Sequence, residues 1–246
     1  YVSFESTGIW TYSAVFYAFI ALPILDVLAG ESATNLDRET AEEKNRMWMF
    51  DLMLYANVPL VFGLMAFFFI QLQSHTYATF ELVGLLLSAG ILLATNAINV
   101  AHELGHRASL PERLMSKLLY MPCLYMHFFI EHNFGHHLNV ATPKDGATAR
   151  YNQTVYGFWW TSVTKQYLSA WRLQAQLLKR QQLSFLSPKN DMLWYHLIQP
   201  AYLGAVWFLF SWDIMLCALG AGVISFLFLE SINYIEHYGL LRQKLD

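Results

Sequence analysis

Residues 82–107 read LVGLLLSAGILLATNAINVAHELGHR, an apolar run that carries no charge until it meets the histidine-rich end. About twenty consecutive apolar residues are enough to cross the hydrocarbon core of a bilayer as one helix. The stretch therefore predicts a membrane-spanning helix that presents His102 and His106 at one membrane surface.

Four further charge-free stretches have a similar character, and the whole chain is 56% hydrophobic, 16% aromatic and only 13% charged. Soluble domains carry far more charge than this. We therefore expect an all-α integral membrane protein, a single domain over residues 1–246 with about five visible transmembrane helices. The four further predicted spans are Ile9 to Leu25, Leu52 to Gln73, Met192 to Trp212 and Ile214 to Leu229.

The distribution of positive charge predicts how these helices are oriented. If the first span runs inwards and the others alternate, the inner segments are residues 31–51, 102–191 and 230–246, and all fifteen lysines and arginines fall within them. Positive charge accumulates on the cytoplasmic side of membrane proteins. The histidine-rich segments lie on that side, so we expect them to face the cytoplasm.

The N-terminal region suggests that more chain precedes it. Tyr1 would lie outside, and the sequence starts without methionine or a basic signal-peptide region. We expect the chain to be incomplete here, with a sixth span upstream. The acidic, turn-like residues 31–51 are predicted to form an inner loop.

Two segments between the third and fourth spans call for special structures. Residues 113–131 contain an apolar stretch too short to cross the membrane, interrupted by Pro122, with cytoplasmic flanks. We predict a re-entrant helical hairpin there, with its non-helical backbone covered by protein. Residues 138–191 concentrate polar side chains and show helical periodicity at 161–182, which predicts a cytosolic helical cap.

Charge and cysteine content exclude two classes of protein. A net charge of −3 gives no reason to expect nucleic-acid binding. The two cysteines, Cys123 and Cys217, sit in apolar runs without CxxC spacing, so we expect packing residues and no disulfide framework.

Six of the nine histidines fall in three short motifs: HELGH at 102–106, EHNFGHH at 131–137 and NYIEHYG at 233–239. Two histidines four residues apart on a helix share one face and point towards a common centre. The remaining three, His75, His127 and His196, have no partner at this spacing. We expect those three to be structural.

Imidazole is a good ligand for iron, copper and zinc. Six histidines exceed the three or four ligands that one zinc takes, so the motifs predict two metal ions. The predicted catalytic and metal-binding residues are His102, His106, His132, His136, His137 and His237.

Other functions remain open on these residues alone. HELGH satisfies HExxH, the pattern of a zinc protease in which the glutamate is the general base, but such a site would leave EHNFGHH without a role. A transporter with a histidine proton relay is disfavoured because the motifs lie at the membrane face and not at the midplane.

The motifs together resemble the membrane-bound alkane 1-monooxygenases, the alkane hydroxylases, among the histidine-box di-iron enzymes. The likeness covers most of the chain. NYIEHYG favours hydroxylation over the double-bond formation of desaturases, which stay the alternative together with related di-iron hydroxylases. The segments that carry the resemblance are LPILD at 22–26, HELGHR at 102–107, HFFIEHNFGHH at 127–137, ATPKDGAT at 141–148 and NYIEHYGLLRQK at 233–244.

The resemblance implies two non-heme irons held by nine histidines at the cytoplasmic side of a bacterial inner membrane. It further implies that dioxygen is the co-substrate, that rubredoxin delivers the electrons, and that the terminal methyl of an n-alkane from the bilayer becomes a 1-alkanol. Six family ligands match here; a last box of the form LQRHSDHH would follow Asp246, so we also expect the chain to be incomplete at its C-terminus.

Metal-bound imidazoles are oriented by a partner at their second ring nitrogen, usually a carboxylate or a carbonyl. Glu230 is a notable candidate because it lies on a span about two turns before His237, where buried acids are costly. The full set of carboxylates predicted to orient the ligands is Glu103, Glu131, Asp145, Glu230 and Glu236.

Overall fold

A computed structural model describes residues 1–30, 37, 40 and 47–242 of the chain. These residues form helices, turns and loops, and no strand occurs among them, which confirms the all-α prediction. Most of the predicted inner loop 31–51 lies outside the described residues.

Four helices are long and apolar enough to cross a membrane, so the chain is a membrane protein. They match four of the five predicted spans. A short N-terminal turn, Val2–Glu5, precedes the first of them. The four helices are α1 (Gly8–Ala29), α2 (Trp48–Ser74), α3 (Thr79–Gly105) and α8 (Trp212–His237).

The fifth predicted span, Met192 to Trp212, forms helix α7 (Asp191–Leu209), which is not among the helices apolar enough to cross a membrane. Two polar side chains in its first half are bonded to protein. His196 Nε2 lies 2.6 Å from Tyr167 Oη, and Gln199 Oε1 accepts a hydrogen bond from the Met126 backbone N–H at 3.0 Å. These uncharged polar groups tie α7 to the protein. The helix still runs the length of the bundle, from Asp191, which pairs with Lys117 at 2.7 Å, to Phe210, whose ring centroid lies 5.6 Å from that of Phe69 in α2.

Helix α3 lies at the centre of the bundle and contacts α1, α2 and α8. Glycines make the close approaches possible: a Cβ on Gly84 would overlap Thr11 Oγ1, and one on Gly90 would overlap Ile224 Cγ2. Ser88 Oγ donates a hydrogen bond to the Thr11 carbonyl at 2.8 Å. The first half of α3, before the histidines, is therefore packed closely against α1 and α8.

The predicted hairpin consists of helix α4 (Leu110–Tyr120), a turn, and helix α5 (residues 128–139). Ser116 in α4 donates a hydrogen bond to the Ala101 carbonyl at 2.6 Å and so joins α4 to α3. Most residues of the turn are buried, among them Cys123 and Tyr125, and Leu124 adopts a positive φ of 55°. The expected protein cover over the non-helical backbone is therefore present.

The predicted cap is helix α6 (Val155–Arg180), which packs on α5 and α8 and also contacts α7. Thr154 begins it by accepting a hydrogen bond from the Gly157 N–H through its hydroxyl. One stripe of α6, spaced by four residues from Ser162 to Leu178, is buried against its neighbours. Helix α6 thereby covers the histidine-bearing helix α5 on one side.

Candidate metal centre

Two π-helical turns position the histidines. Helix α3 widens at Leu93–Ile98, one turn before HELGH, and α5 widens at His132–His136. Such bulges are rare and are found most often at functional sites, because an extra residue in a turn re-aims the side chains that follow. Both bulges direct histidines from separate helices into the same space.

Four of the six predicted ligands converge on one point. His102 Nε2 lies 2.7 Å from His132 Nε2 and 3.1 Å from His106 Nε2, and His137 Nε2 lies 3.4 Å from His106 Nε2. One ring nitrogen from each of the four falls within 4.8 Å of all the others. Nitrogens bound to one ion at about 2 Å lie about 3 Å apart, so this spacing suits a shared metal.

The electrostatics of the cluster favour neutral imidazoles. Burial, together with the neighbouring His102, lowers the pKa of His132 to about 2. Burial and the neighbouring His106 also lower the pKa of His137. Because a metal binds the unprotonated ring nitrogen, these lowered pKa values leave the lone pairs available at neutral pH.

The other two predicted ligands lie beside this group. The ring centroid of His136 is 5.3 Å from that of His132 and 5.1 Å from that of His237. His136 Nδ1 also lies 3.1 Å from both carboxylate oxygens of Asp145. The six histidines therefore form one contiguous group, in which four converge and two lie side by side next to them.

Asp145 fixes the orientation of His136. Burial disfavours the charged ring, but the hydrogen bond to Asp145 outweighs it and the pKa of His136 is raised. For Asp145, burial is opposed by hydrogen bonds from His136, Thr148 and the Ala147 backbone, and its pKa is lowered. With Nδ1 facing the carboxylate, Nε2 is the ring nitrogen left for a metal.

The remaining carboxylates predicted to orient ligands divide into two groups. Glu131 and Glu230 are buried, whereas Glu103 and Glu236 are exposed. Glu103 forms an ion pair with Arg107 at 3.1 Å, one turn along the helix. The structure therefore directs Glu103 to a cation, and among the five it places only Asp145 in hydrogen-bond contact with a histidine in the described part of the chain.

Asp145, Glu131 and Glu230 lie close enough to His136 to raise its pKa. Within residues 1–30 and 47–242, no lysine or arginine forms an ion pair with any of the three. Burial, and then the charge of Asp145, raises the pKa of Glu131 to about 7. Its Oε2 is buried and has no hydrogen-bond partner among the residues that the structure describes. Buried acids without a basic partner are costly, and divalent cations bound by neutral imidazoles would balance their charge.

The three other histidines stay outside this group. His75 approaches its own helix backbone at Gln71, and His196 lies beside Tyr167. His127 is buried between Tyr125 and Tyr167, with ring centroids 4.4 and 5.5 Å away.

Glu230 has two partners that the sequence reasoning did not identify. The Tyr125 hydroxyl and Gln166 Nε2 each donate to Glu230 Oε1 at 2.9 Å. Tyr125 lies in an apolar run, where nothing in the sequence indicates a polar role. Gln166 could have been predicted as a buried hydrogen-bonding residue, because Ser162, Gln166 and Gln174 recur on one face of the predicted cap helix. A polar stripe of this kind on a buried face indicates internal hydrogen bonding.

Comparison with known proteins places this site in a family. A family model described as fatty acid desaturase matches residues 78–246, which include all six predicted ligands. Alkane 1-monooxygenase 2 of Pseudomonas aeruginosa is 32% identical over 239 residues, covering 96% of this chain and 63% of that protein.

Two further relatives cover this chain to a similar extent. Alkane 1-monooxygenase of Pseudomonas putida is 34% identical over 257 residues, covering 97% of this chain and 61% of that protein. The xylene/toluene monooxygenase hydroxylase component of Pseudomonas putida is 28% identical over 244 residues, covering 98% of this chain and 64% of that protein. The chain thus spans less than two thirds of the length of these relatives. It belongs to the fatty acid desaturase family, and its resemblance to the membrane-bound alkane hydroxylases is confirmed.

Proposed function

We propose that this chain forms the catalytic core of an alkane 1-monooxygenase. Dioxygen, two electrons and two protons would convert the terminal methyl of an n-alkane to a 1-alkanol and water. The observation that carries the proposal is the convergence of His102, His106, His132 and His137, contributed by two helices, at metal-ligand spacing. Similarity to curated alkane 1-monooxygenases supports the same reaction.

The donor set fits two non-heme irons. His102, His106, His132 and His137 would hold metal at the convergent position, and His136 and His237 would contribute to a second ion beside it. Imidazole ligands suit iron, and the buried acids around His136 would balance the positive charge. When bound, the irons would supply the dioxygen activation that an unreactive C–H bond requires.

The chain itself supplies position and exclusion of water. Asp145 holds the ring of His136 with Nδ1 towards the carboxylate, and the buried side chains of α5 shield the ligands on the side of α6. Carboxylates that orient metal-bound histidines raise their basicity as ligands. Water exclusion would limit side reactions during oxygen chemistry.

A cavity between α1 and α3 offers room for an alkyl chain within the membrane zone. Its volume is about 340 Å³, and it is lined by Ala14, Ala18, Ile91, Leu92 and Asn96 among others. This is within the usual range for ligand pockets. Asn96 precedes His102 by six residues, a rise of about 9 Å along a helix. We place the substrate chain here, with its methyl end towards the histidines.

We place the metal centre on the cytoplasmic side of a bacterial inner membrane, as the positive-inside pattern favours. An acidic electron donor such as rubredoxin would meet exposed basic residues there. Arg150 and Arg242 are exposed, whereas Arg107 is already paired with Asp51 and Glu103. Arg150 and Arg242 are therefore the better candidates for donor docking.

The test uses the full-length protein, purified in detergent and analysed for metal before and after replacement of His137 by Ala. About two irons per chain in the parent, a lower iron content in His137→Ala, and 1-alkanol from n-alkane with rubredoxin would support the proposal. An alkene product would instead identify a desaturase. One zinc per chain, unaffected by His137→Ala, would identify a protease site at HELGH.

A further inference from the structure

Tyr125 and Glu230 form a buried hydrogen-bonded pair, of which the proposed reaction uses only the charge of Glu230 near the metal centre. Tyr125 is 1% exposed and Glu230 is fully buried. The phenol donates a hydrogen bond to Glu230 Oε1 at 2.9 Å, and Gln166 donates to the same oxygen. The same carboxyl oxygen therefore lies within hydrogen-bond distance of the phenolic proton, as direct proton transfer requires.

Stacked rings connect Tyr125 to the metal centre. The centroids of Tyr125 and Phe128 lie 5.8 Å apart with an interplanar angle of 27°, and those of Phe128 and His132 lie 4.9 Å apart at 29°. His132 is one of the four convergent histidines. Electron tunnelling weakens steeply with distance, so this short series of rings favours electron exchange between Tyr125 and a metal bound at His132.

A second series of rings leads from Tyr125 to the surface. The centroid of His127 lies 4.4 Å from that of Tyr125 and 5.5 Å from that of Tyr167. Tyr167 is 5.7 Å from His196, which is exposed and lies 5.1 Å from Trp171. Tyr167 and Trp171 are both oxidisable and both partly exposed. The rings therefore run without interruption from the convergent histidines to the protein surface.

We propose that Tyr125 and Glu230 form a redox-active pair that removes an unused oxidising equivalent from the metal centre when dioxygen has reacted and no alkane is bound. This inference rests on the proposed monooxygenase function. Tyr125 gives one electron to the centre, which is reduced by one electron. In the same step the phenolic proton moves from Tyr125 Oη to Glu230 Oε1, leaving a neutral phenoxyl radical and a carboxylic acid.

The pair is then restored from the surface. Trp171 or Tyr167 returns one electron to Tyr125 through His127, and the proton moves back from Glu230 to the phenolate oxygen as it forms. A soluble one-electron reductant, such as a thiol, would supply the last electron at the exposed end. One oxidising equivalent is thereby transferred from the metal centre to the thiol.

The proton acceptor is needed because of the surroundings of Tyr125. Burial, together with the neighbouring Glu230, raises the pKa of Tyr125, so the phenol keeps its proton until it is oxidised. Oxidation without proton loss would leave a positive charge in a buried site, which is unfavourable. A base already in hydrogen-bond contact avoids that charge, and it also accounts for a buried carboxyl group in the last span.

The experiment uses full-length, iron-loaded protein that is chemically reduced, exposed to dioxygen without alkane, and frozen for electron paramagnetic resonance. We expect a tyrosyl radical signal that narrows when the protein contains ring-deuterated tyrosine. Tyr125→Phe should abolish it, and Glu230→Gln, which keeps an acceptor oxygen but is a far weaker base, should lower its yield several-fold. Trp171→Phe should lengthen the lifetime of the radical, because electron return to Tyr125 from the surface is slower.

Tyr195→Phe is the matched control, since Tyr195 is also buried but its hydroxyl has no partner in the described part of the chain. That variant should keep the signal. Iron content and alcohol formation are measured on the same samples. If the protein contains iron and forms alcohol but gives no radical, or if the radical survives in Tyr125→Phe, the inference is overturned while the proposed function stands. Protein with neither iron nor alcohol formation would overturn the proposed function together with it.

Discussion

His136 Nδ1 lies 3.1 Å from both carboxylate oxygens of Asp145, which makes this pair the direct link between a candidate ligand and a buried acid. Asp145 is itself held by hydrogen bonds from Thr148 and from the Ala147 backbone. The loop that follows α5 therefore sets the orientation of a ring on α5. A metal site built in this way should depend on the loop as well as on the ligands.

Asp145→Asn tests this dependence. The amide keeps the size of the side chain but removes its charge, so it no longer stabilises the orientation and basicity of His136. We expect iron affinity to fall by about tenfold to a hundredfold, measured by competition with a chelator. Asp51→Asn is the control, because Asp51 pairs with Arg107 and not with a histidine. Equal affinity in parent and Asp145→Asn would contradict the assigned role.

His237→Ala tests whether the two adjacent histidines hold a second ion. His237 contacts His136 but is not among the four convergent histidines. Its removal should therefore reduce iron from two to about one per chain and abolish alcohol formation. Elemental analysis provides the measurement, with His75→Ala, remote from the cluster, as the control. Retention of two irons in His237→Ala would exclude it as a ligand.

Gly222→Ala tests the close approach of α8 to the turn before α5. A Cβ there would lie 2.9 Å from the Pro122 carbonyl oxygen, a backbone atom that can move only with its segment. We expect a loss of about 1–3 kcal/mol in stability, typical of overpacking, seen as earlier thermal unfolding in detergent. Gly63→Ala adds the same methyl where no atom lies within 4 Å, so it should be neutral or stabilising. Similar unfolding of both variants would argue against the steric explanation.

Ala14→Phe tests the placement of the substrate chain. Ala14 lines the cavity between α1 and α3, so a phenyl ring should occupy part of its volume. We expect activity to shift towards shorter n-alkanes, with a lower ratio of long-chain to short-chain turnover in gas chromatography of the products. Ala66→Phe places the same ring on an exposed part of α2 and should leave the ratio unchanged. An unchanged ratio in Ala14→Phe would move the substrate path elsewhere.

The sequence was informative wherever the relevant property is local. The four spans follow from runs of apolar residues around Phe16, Val61, Leu85 and Ala221, because transfer from water to the bilayer depends on composition along one helix. The pairing of His102 with His106 follows from the helical repeat. For helix α7 the sequence could not identify the partners of two polar groups, His196 and Gln199, because those partners come from tertiary contacts.

By itself, the sequence determined an all-α membrane protein, the six histidines as a group, and the side of the membrane on which they are expected. Only the tertiary structure decided that His132 meets His102, that Asp145 and not Glu103 reaches a histidine, and that Glu230 faces Tyr125. Spacing along a helix determines which residues share a face. Contacts between helices depend on how those faces pack, through glycines and π-helical turns whose effect depends on the whole bundle.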